Sequence, residues 1–260
     1  MRRINLFLKG NLDVRDSLHS LRLNGKLEWN GVNEIVRAQG RGVVVRVRHE
    51  TWTRSDALLK AEGKVPDEVA HRALALTSFP ALSQFSRATF ETDADAIIFS
   101  IQADILNSLI RHKRDGYLLL YPGPLAHCSP ADRDWLIKAF EPAPALDVEH
   151  SMANLAEIIE RCRRDSDAPI LFYNVSSIVM GDFVHCYSGL EETLSTRIKR
   201  FNLGLIDLSR ATGVSIVDVD TIVASHGANR LKIDTLHLNA EGCRLVAEEV
   251  VRILADLGCL

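Results

Sequence analysis

Six short apolar runs, rich in β-branched residues and separated by longer amphipathic segments, constrain this chain more than any other feature. They are INLFLK (4–9), GVVVRV (42–47), AIIFSI (96–101), YLLLY (117–121), PILFYNV (169–175) and VSIVDV (214–219). Runs that are apolar at consecutive positions suit strands covered on both faces. The segments between them are long enough for crossover helices. Such alternation predicts an α/β fold: three layers, with a mostly parallel sheet of five or six strands and helices on both faces. The 260 residues, 47% of them hydrophobic, fit one domain over 1–260.

The clearest helices lie near the C-terminus. Within 190–212, Leu194, Ile198, Phe201, Leu205 and Leu208 recur at spacings of three and four, and Gly213 ends the helix. The last helix opens at Asn239, a good N-cap, with Val246, Val250, Ile253, Leu254 and Leu257 as its buried stripe. Gly242 inside it points to close packing. Five of the eight prolines fall within 122–144. This predicts a proline-rich insertion at about 122–166, either a surface loop or a lid, with a short helix at ADRDWLIKAF (131–140).

Charge and cysteine usage bound the function. Lys and Arg number 31 against 34 Asp and Glu, a net charge of -3 that gives no electrostatic case for nucleic acid. The densest basic run, Arg111 to Arg114, reads as a solvated helix end. Cys128, Cys162, Cys186, Cys243 and Cys259 are scattered, odd in number and without CxxC spacing, which predicts free thiols in a reducing compartment. No apolar run approaches the ~20 residues of a membrane span, and the first strand starts within four residues of Met1, with no leader pattern. The expectation is a cytoplasmic protein acting on a small molecule, with no membrane partner, no cofactor and no resident metal.

In open parallel sheets, ligands bind outside the carboxyl ends of the strands. After the first run come Gly10, Asn11, Leu12, Asp13 and Ser17; after the second, His49 and Glu50; after the third, Gln102 and Asp104; after the fifth, Asn174; the sixth ends at Asp218 and Asp220. Last comes KIDTLHLN, with Asp234 and His237 three apart before a helix. That spacing lets the carboxylate accept from Nδ1–H of His237, leaving the other ring nitrogen as an acceptor, as a general base requires. A loop histidine tied to its neighbouring aspartate for structure alone fits the same spacing. Asp218, Asp220 and His237 together are a weaker candidate for a divalent ion. His127 and His185, in polar loops, are weaker candidates for substrate contact.

The stretch from RIKRFNLGLIDLSRATGVSIVDVD to DTLHLNAEGCRLVAEEVVRIL resembles the C-terminal half of the SGNH/GDSL hydrolases: a helix with an R…FN pattern, a strand ending in Asp, then D-x-x-H and a final helix. The first strand and FSIQADI fit the family's first and third motifs in position. The resemblance implies a flavodoxin-like sheet, a hydrolase or acyltransferase of small esters or acylated metabolites, and Asp234 and His237 as acid and base of a triad. Two departures stand out. The family's G-D-S or G-N-S is Gly10-Asn11-Leu12 here, so leucine stands where the nucleophilic serine belongs, while RDSL (15–18) offers Ser17 in a second register. The family's G-x-N-D is Ile101-Gln102-Ala103-Asp104, so Ala103 replaces the asparagine that helps hold the oxyanion; Gln102 or Asn107 could supply that donor. Three readings follow: hydrolysis with Ser17 or water as nucleophile, a non-catalytic binding protein, or the metal site.

Overall fold

Five of the six runs form the central sheet of the computed structural model, which describes residues 2–178 and 192–260. The strands are β1 (Arg2–Lys9), β2 (Val43–Glu50), β3 (Ala96–Ser100), β4 (Ile170–Tyr173) and β5 (Ser215–Val217). Their order is β2-β1-β3-β4-β5, and every neighbouring pair is parallel. The chain builds outward from β1 to β2, then crosses back to β3. The direction of building reverses between β1 and β3, where a parallel sheet opens its ligand crevice. Register aligns the strand ends there: Lys9 lies opposite Glu50 on one side and Phe99 on the other.

The principal helices are α1 (Leu12–Leu18), α2 (Val32–Ala38), α3 (Val148–Cys162), α4 (Leu194–Thr212) and α5 (Ala240–Asp256). Alternate residues of β1, β3 and β4 feed two cores. On one face Ile4, Leu6, Leu8, Val45, Ile98 and Leu171 meet α1, α2 and α5. On the other Phe7, Ile97, Phe99 and Phe172 meet α3 and α4. The two clusters explain why β1, β3 and β4 are apolar at consecutive positions, each being covered on both sides; β2, at the border of the sheet, buries only Val43, Val45 and Val47 and leaves Val44 and Arg46 exposed. The expected stripe of α4 is buried throughout, and Gly213 ends the helix in the left-handed region. In α5 the stripe stops at Leu254; Leu257 lies past the helix end and is 45% exposed.

YLLLY does not join the central sheet. Leu118–Leu119 pair antiparallel with Ile110–His112, which pair in turn with Phe140–Pro142. Leu119 packs with Val69, Phe85 and Phe140, while Leu118 and Leu120 pack against Ala57 and Leu109. A run buried on both faces by two minor clusters looks the same in sequence as one buried in the main sheet. The basic run starts inside this small sheet, and Arg111 pairs with Glu141 while Arg114 pairs with Glu68 and Asp115. The short helix spans Pro130–Ala139, capped by the Ser129 hydroxyl, which accepts from Asp132 N–H. The segment beyond 147 is no excursion, because α3 packs on the sheet.

A hairpin after α1, Ser20–Leu23 with Lys26–Trp29, was not anticipated. Its signal is Asn24-Gly25, both with positive φ, the pair that a tight two-residue hairpin turn prefers. The chain then runs through Asn30 and Asn33, whose side chains cover the open edge of β2. Asn33 Oδ1 accepts from Val45 N–H at 2.7 Å, Asn33 Nδ2 donates to Val45 O at 2.8 Å, and Asn30 Oδ1 accepts from Val47 N–H at 3.2 Å. Among the described residues, no helix is long and apolar enough to cross a membrane.

Candidate active site

The turn leaving β1 is tight. A Cβ on Gly10 would lie 2.5 Å from Val14 Cγ2, so only glycine fits. The Gly10 carbonyl accepts from His49 Nε2 at 2.9 Å. Because the partner is a carbonyl, Nε2 carries the proton; burial pushes the His49 pKa down, so the ring is neutral. Asp13, one residue into α1, turns its carboxylate back onto the Asn11 amide at 3.2 Å, and burial raises its pKa. Leu12 opens α1 and belongs to none of the hydrophobic clusters.

The loop between Leu231 and Asn239 carries the dyad. Asp234 Oδ1 accepts from the amides of Leu236 and His237 at 2.8 Å each, and Oδ2 lies 2.7 Å from His237 Nδ1. Burial pushes the Asp234 pKa up, but the two amides and the imidazole outweigh it and hold the value at about 2. The carboxylate is therefore ionised throughout the neutral range. It fixes a proton on Nδ1 and leaves Nε2 as the acceptor. The loop is pinned from within: Ile233 N–H donates to His237 O at 3.0 Å, and Asn239 N–H to Leu231 O at 2.8 Å. Lys232 donates to Ile178 O at 2.8 Å, and burial lowers its pKa to about 8.

His237 opens onto a cleft of about 280 Å³ at the carboxyl ends of β1, β2 and β3. Asn11, Leu12 and Arg15 line it from α1 and the turn before it; His49 and Thr51 from the end of β2; Gln102, Leu106 and Asn107 from the segment after β3. Ser78 and Phe79 close one side, and Leu236 lies beside His237. Among the described residues the Gln102 amide makes no side-chain hydrogen bond, Asn107 Nδ2 donates to Thr53 O at 2.6 Å, and the Asn11 Oδ1 and Thr51 Oγ1 atoms are buried without partners. None of residues 122–144 lines the cleft.

Several expected site residues lie elsewhere. Ser17 is fully buried on the inner face of α1, its hydroxyl 2.8 Å from Asp13 O and 3.0 Å from the Tyr173 hydroxyl. It has no path to the cleft, because the face of α1 that carries it packs on the sheet. Asn174 Nδ2 donates to Asp218 Oδ1 at 2.8 Å, and its Oδ1 accepts from Asp220 N–H at 3.1 Å, so its amide ties two loops together. Asp218 caps the helix Val219–His226, and Asp220 accepts from Ser177 N–H at 2.7 Å. With both aspartates so committed, the metal set Asp218, Asp220 and His237 is not assembled. The grouping with metal-ligand spacing among the described residues is Glu68, His112 and Asp115, and Arg114 already pairs with both carboxylates. Asp104 is sealed behind the site, accepting from Ser55 N–H at 2.6 Å, Ser55 Oγ at 2.5 Å and Ser151 Oγ at 2.6 Å. His127 sits in an exposed turn away from the cleft, and His185 lies outside the described residues.

Sequence reasoning missed Thr51, Arg15, Ser78 and Phe79. Thr51 had a signal, since it follows the strand end directly. Arg15 had one too, one turn along the helix from Leu12. Ser78 and Phe79 come from an irregular loop that carries none.

No protein-family model and no curated protein matches the sequence. Solved structures match the fold. An acetyl xylan esterase, AlAXEase, superposes with a TM-score of 0.52 at 11% identity, over 96% of this chain and 100% of that one. A lipase/acylhydrolase from Enterococcus faecalis superposes with a TM-score of 0.50 at 14% identity, over 99% and 97%. An alpha/beta hydrolase enzyme from the metagenome of Lake Arreo, Spain, reaches 0.53 at 13% identity, over 99% and 96%. The fold is SGNH-like. In this chain the loop of Asp234 and His237, the turn after β1 and the segment after β3 meet at one cleft.

Gly242 holds the dyad loop against α5. A Cβ there would lie 2.7 Å from Leu231 O and 3.1 Å from Leu238 Cβ. Gly242→Ala is expected to destabilise the protein by about 1–3 kcal/mol, the usual cost of overpacking, despite alanine's better helix propensity. Urea unfolding monitored by circular dichroism checks this; a gain in stability would show that the loop yields freely.

Proposed function

We propose that the protein is an atypical SGNH-type hydrolase or acyltransferase acting on a small ester or acylated metabolite, with His237 as general base and Asp234 orienting it. The observation that carries this reading is the 2.7 Å Asp234–His237 contact beside a cleft into which Nε2 is free to accept a proton. With Leu12 at the turn and Ser17 sealed in the core, the attacking oxygen comes from water or from an acceptor hydroxyl. His237 Nε2 takes the proton as that oxygen bonds to the acyl carbon, and the tetrahedral oxyanion collapses as the ester C–O bond breaks. The same proton then passes to the departing alcohol. Gln102 and Thr51, which line the same cleft with side chains that have no hydrogen-bond partner among the described residues, would hold the oxyanion. The free thiols of Cys128, Cys162, Cys243 and Cys259 support a reducing, cytoplasmic setting.

His237→Ala is expected to lower hydrolysis of p-nitrophenyl acetate by at least about 100-fold, the usual scale of general-base catalysis. An unchanged rate would overturn the assignment. Leu12 favours a second reading, a binding pocket that has given up turnover. Wild-type protein that hydrolyses no acyl ester above buffer, yet is stabilised by a small acylated ligand, would support that one.

A further inference from the structure

The cleft wall made by Ser78 and Phe79 is held by side chains that the dyad does not use. Thr77, just before it, has a φ of 49°. A β-branched residue stays in the left-handed region only where its surroundings impose it. Two buried polar side chains grip this loop. Gln84, 5% exposed, donates from Nε2 to Phe79 O at 2.7 Å and to Leu120 O at 3.1 Å, and its Oε1 accepts from Leu120 N–H at 2.9 Å. It ties the wall to the small antiparallel sheet. Lys9, 1% exposed, donates from Nζ to Ser83 O at 3.1 Å and to Glu50 Oε2 at 3.1 Å. It ties the same loop to the central sheet.

Lys9 is the last residue of β1, directly before Gly10, and Glu50 is the last of β2, directly before Thr51. The two strand ends are joined again where Gly10 N–H donates to Glu50 O at 3.2 Å. One ammonium group thus connects three pieces of the cleft: the turn at Asn11 and Leu12, the strand end at His49 and Thr51, and the loop at Ser78 and Phe79. A buried lysine is an expensive occupant for this position, because its charge loses its water. Phe7, two residues earlier on the same face of β1, fills the core as a plain apolar ring. Burial pushes the Lys9 pKa down, and the Glu50 carboxylate pushes it back up. What lysine adds over an apolar residue is a directed bond to the loop.

We infer that Lys9 is a positioning residue that fixes the width of the cleft, by holding the Ser78–Phe79 wall at a set distance from the turn after β1. This rests on the acyl-hydrolysis reading of the cleft. A wall released from Lys9 relaxes outward at Thr77, where the backbone conformation is unfavourable, and a cleft of about 280 Å³ then admits longer acyl groups.

The test combines hydrogen exchange with acyl-length selectivity in Lys9→Met, which keeps an unbranched chain of similar length and removes the charge. Exchange within residues 76–86 is expected to speed up at least about tenfold, with none of this change over 170–173. The ratio of kcat/KM for p-nitrophenyl octanoate to that for p-nitrophenyl acetate is expected to rise at least about tenfold. Lys9→Met combined with Glu50→Gln removes both charges of the pair and is expected to show the same two changes, so a loss of folding in the single variant does not hide them. Unchanged exchange within 76–86 would overturn the inference. Faster exchange across the whole chain, or a selectivity ratio that stays constant while the loop loosens, would overturn it too, leaving Lys9 a structural role alone. Exchange is read without turnover, so its outcome is distinguishable from a failure of the His237 assignment.

Discussion

Leu12→Ser is expected to give the protein a serine nucleophile and raise its hydrolysis of p-nitrophenyl acetate by at least about 100-fold, with a fluorophosphonate adduct at residue 12 and none at Ser17. The dyad is already in place: Asp234 holds Nδ1 of His237 at 2.7 Å, and His237 and Leu12 line the same cleft. The substitution should be tolerated, because Leu12 contributes to no hydrophobic cluster and serine is at home at the start of a helix. A gain smaller than that from Asp234–His237 acting on water would point to the oxyanion side, where Ala103 has no donor. The control is Leu12→Ser combined with His237→Ala, which should return the rate to that of His237→Ala alone. Absence of any adduct would mean that residue 12 and His237 do not share a reaction centre, and the cleft reading would fall with it.

The second large effect is on stability. Asp104→Ala is expected to lose about 3–5 kcal/mol, a fall of roughly 6–20 °C in melting temperature for a chain of this size. Asp104 accepts three short hydrogen bonds from Ser55 and Ser151, and alanine would leave all three donors without a partner in a site closed to water. Asp104→Asn, by contrast, should cost about 1 kcal/mol, because an amide can accept from the Ser55 backbone and donate to the two hydroxyls. The two variants separate shape from charge. Burial raises the Asp104 pKa to about 6, above its usual value of 3.8. The folded state therefore binds this proton more tightly than the unfolded chain. The stabilisation is complete below about pH 4 and is lost as pH rises through 6, an upper bound of about 3 kcal/mol. Melting temperatures at pH 4.5 and 7.5 check the sign: wild type should gain on Asp104→Asn at the lower pH. A gap that widens at high pH in favour of wild type would reverse it.

Much of the fold was legible because consecutive apolar residues carry strong information. INLFLK, AIIFSI and PILFYNV are strands buried on both faces, and with two further runs they make the sheet. YLLLY obeyed the same local rule in a different place; hydrophobicity tells how deeply a run is buried, not against what. The dyad was legible because its partners are three residues apart, so spacing determines geometry. Ser17 was misread for the converse reason. Nothing local says which face of a seven-residue helix turns inward, and Val14, Ser17 and Leu18 share the inner one. Asn174 and Asp104 were placed near the right strand ends, but a strand end has a core side and a cleft side, and only tertiary packing chooses between them.

The asparagines along β2 have a consequence for how copies of this chain can meet. An uncovered outer strand is a template on which another polypeptide can lay its own backbone, and growth by that route leads to ribbons and fibres. Here Asn33 already pairs with both the donor and the acceptor of Val45, and Asn30 with the donor of Val47. The opposite border of the sheet is the three-residue β5, too short to seed a new strand. Among the described residues, the central sheet thus offers little room for another strand at the middle of β2 or at β5.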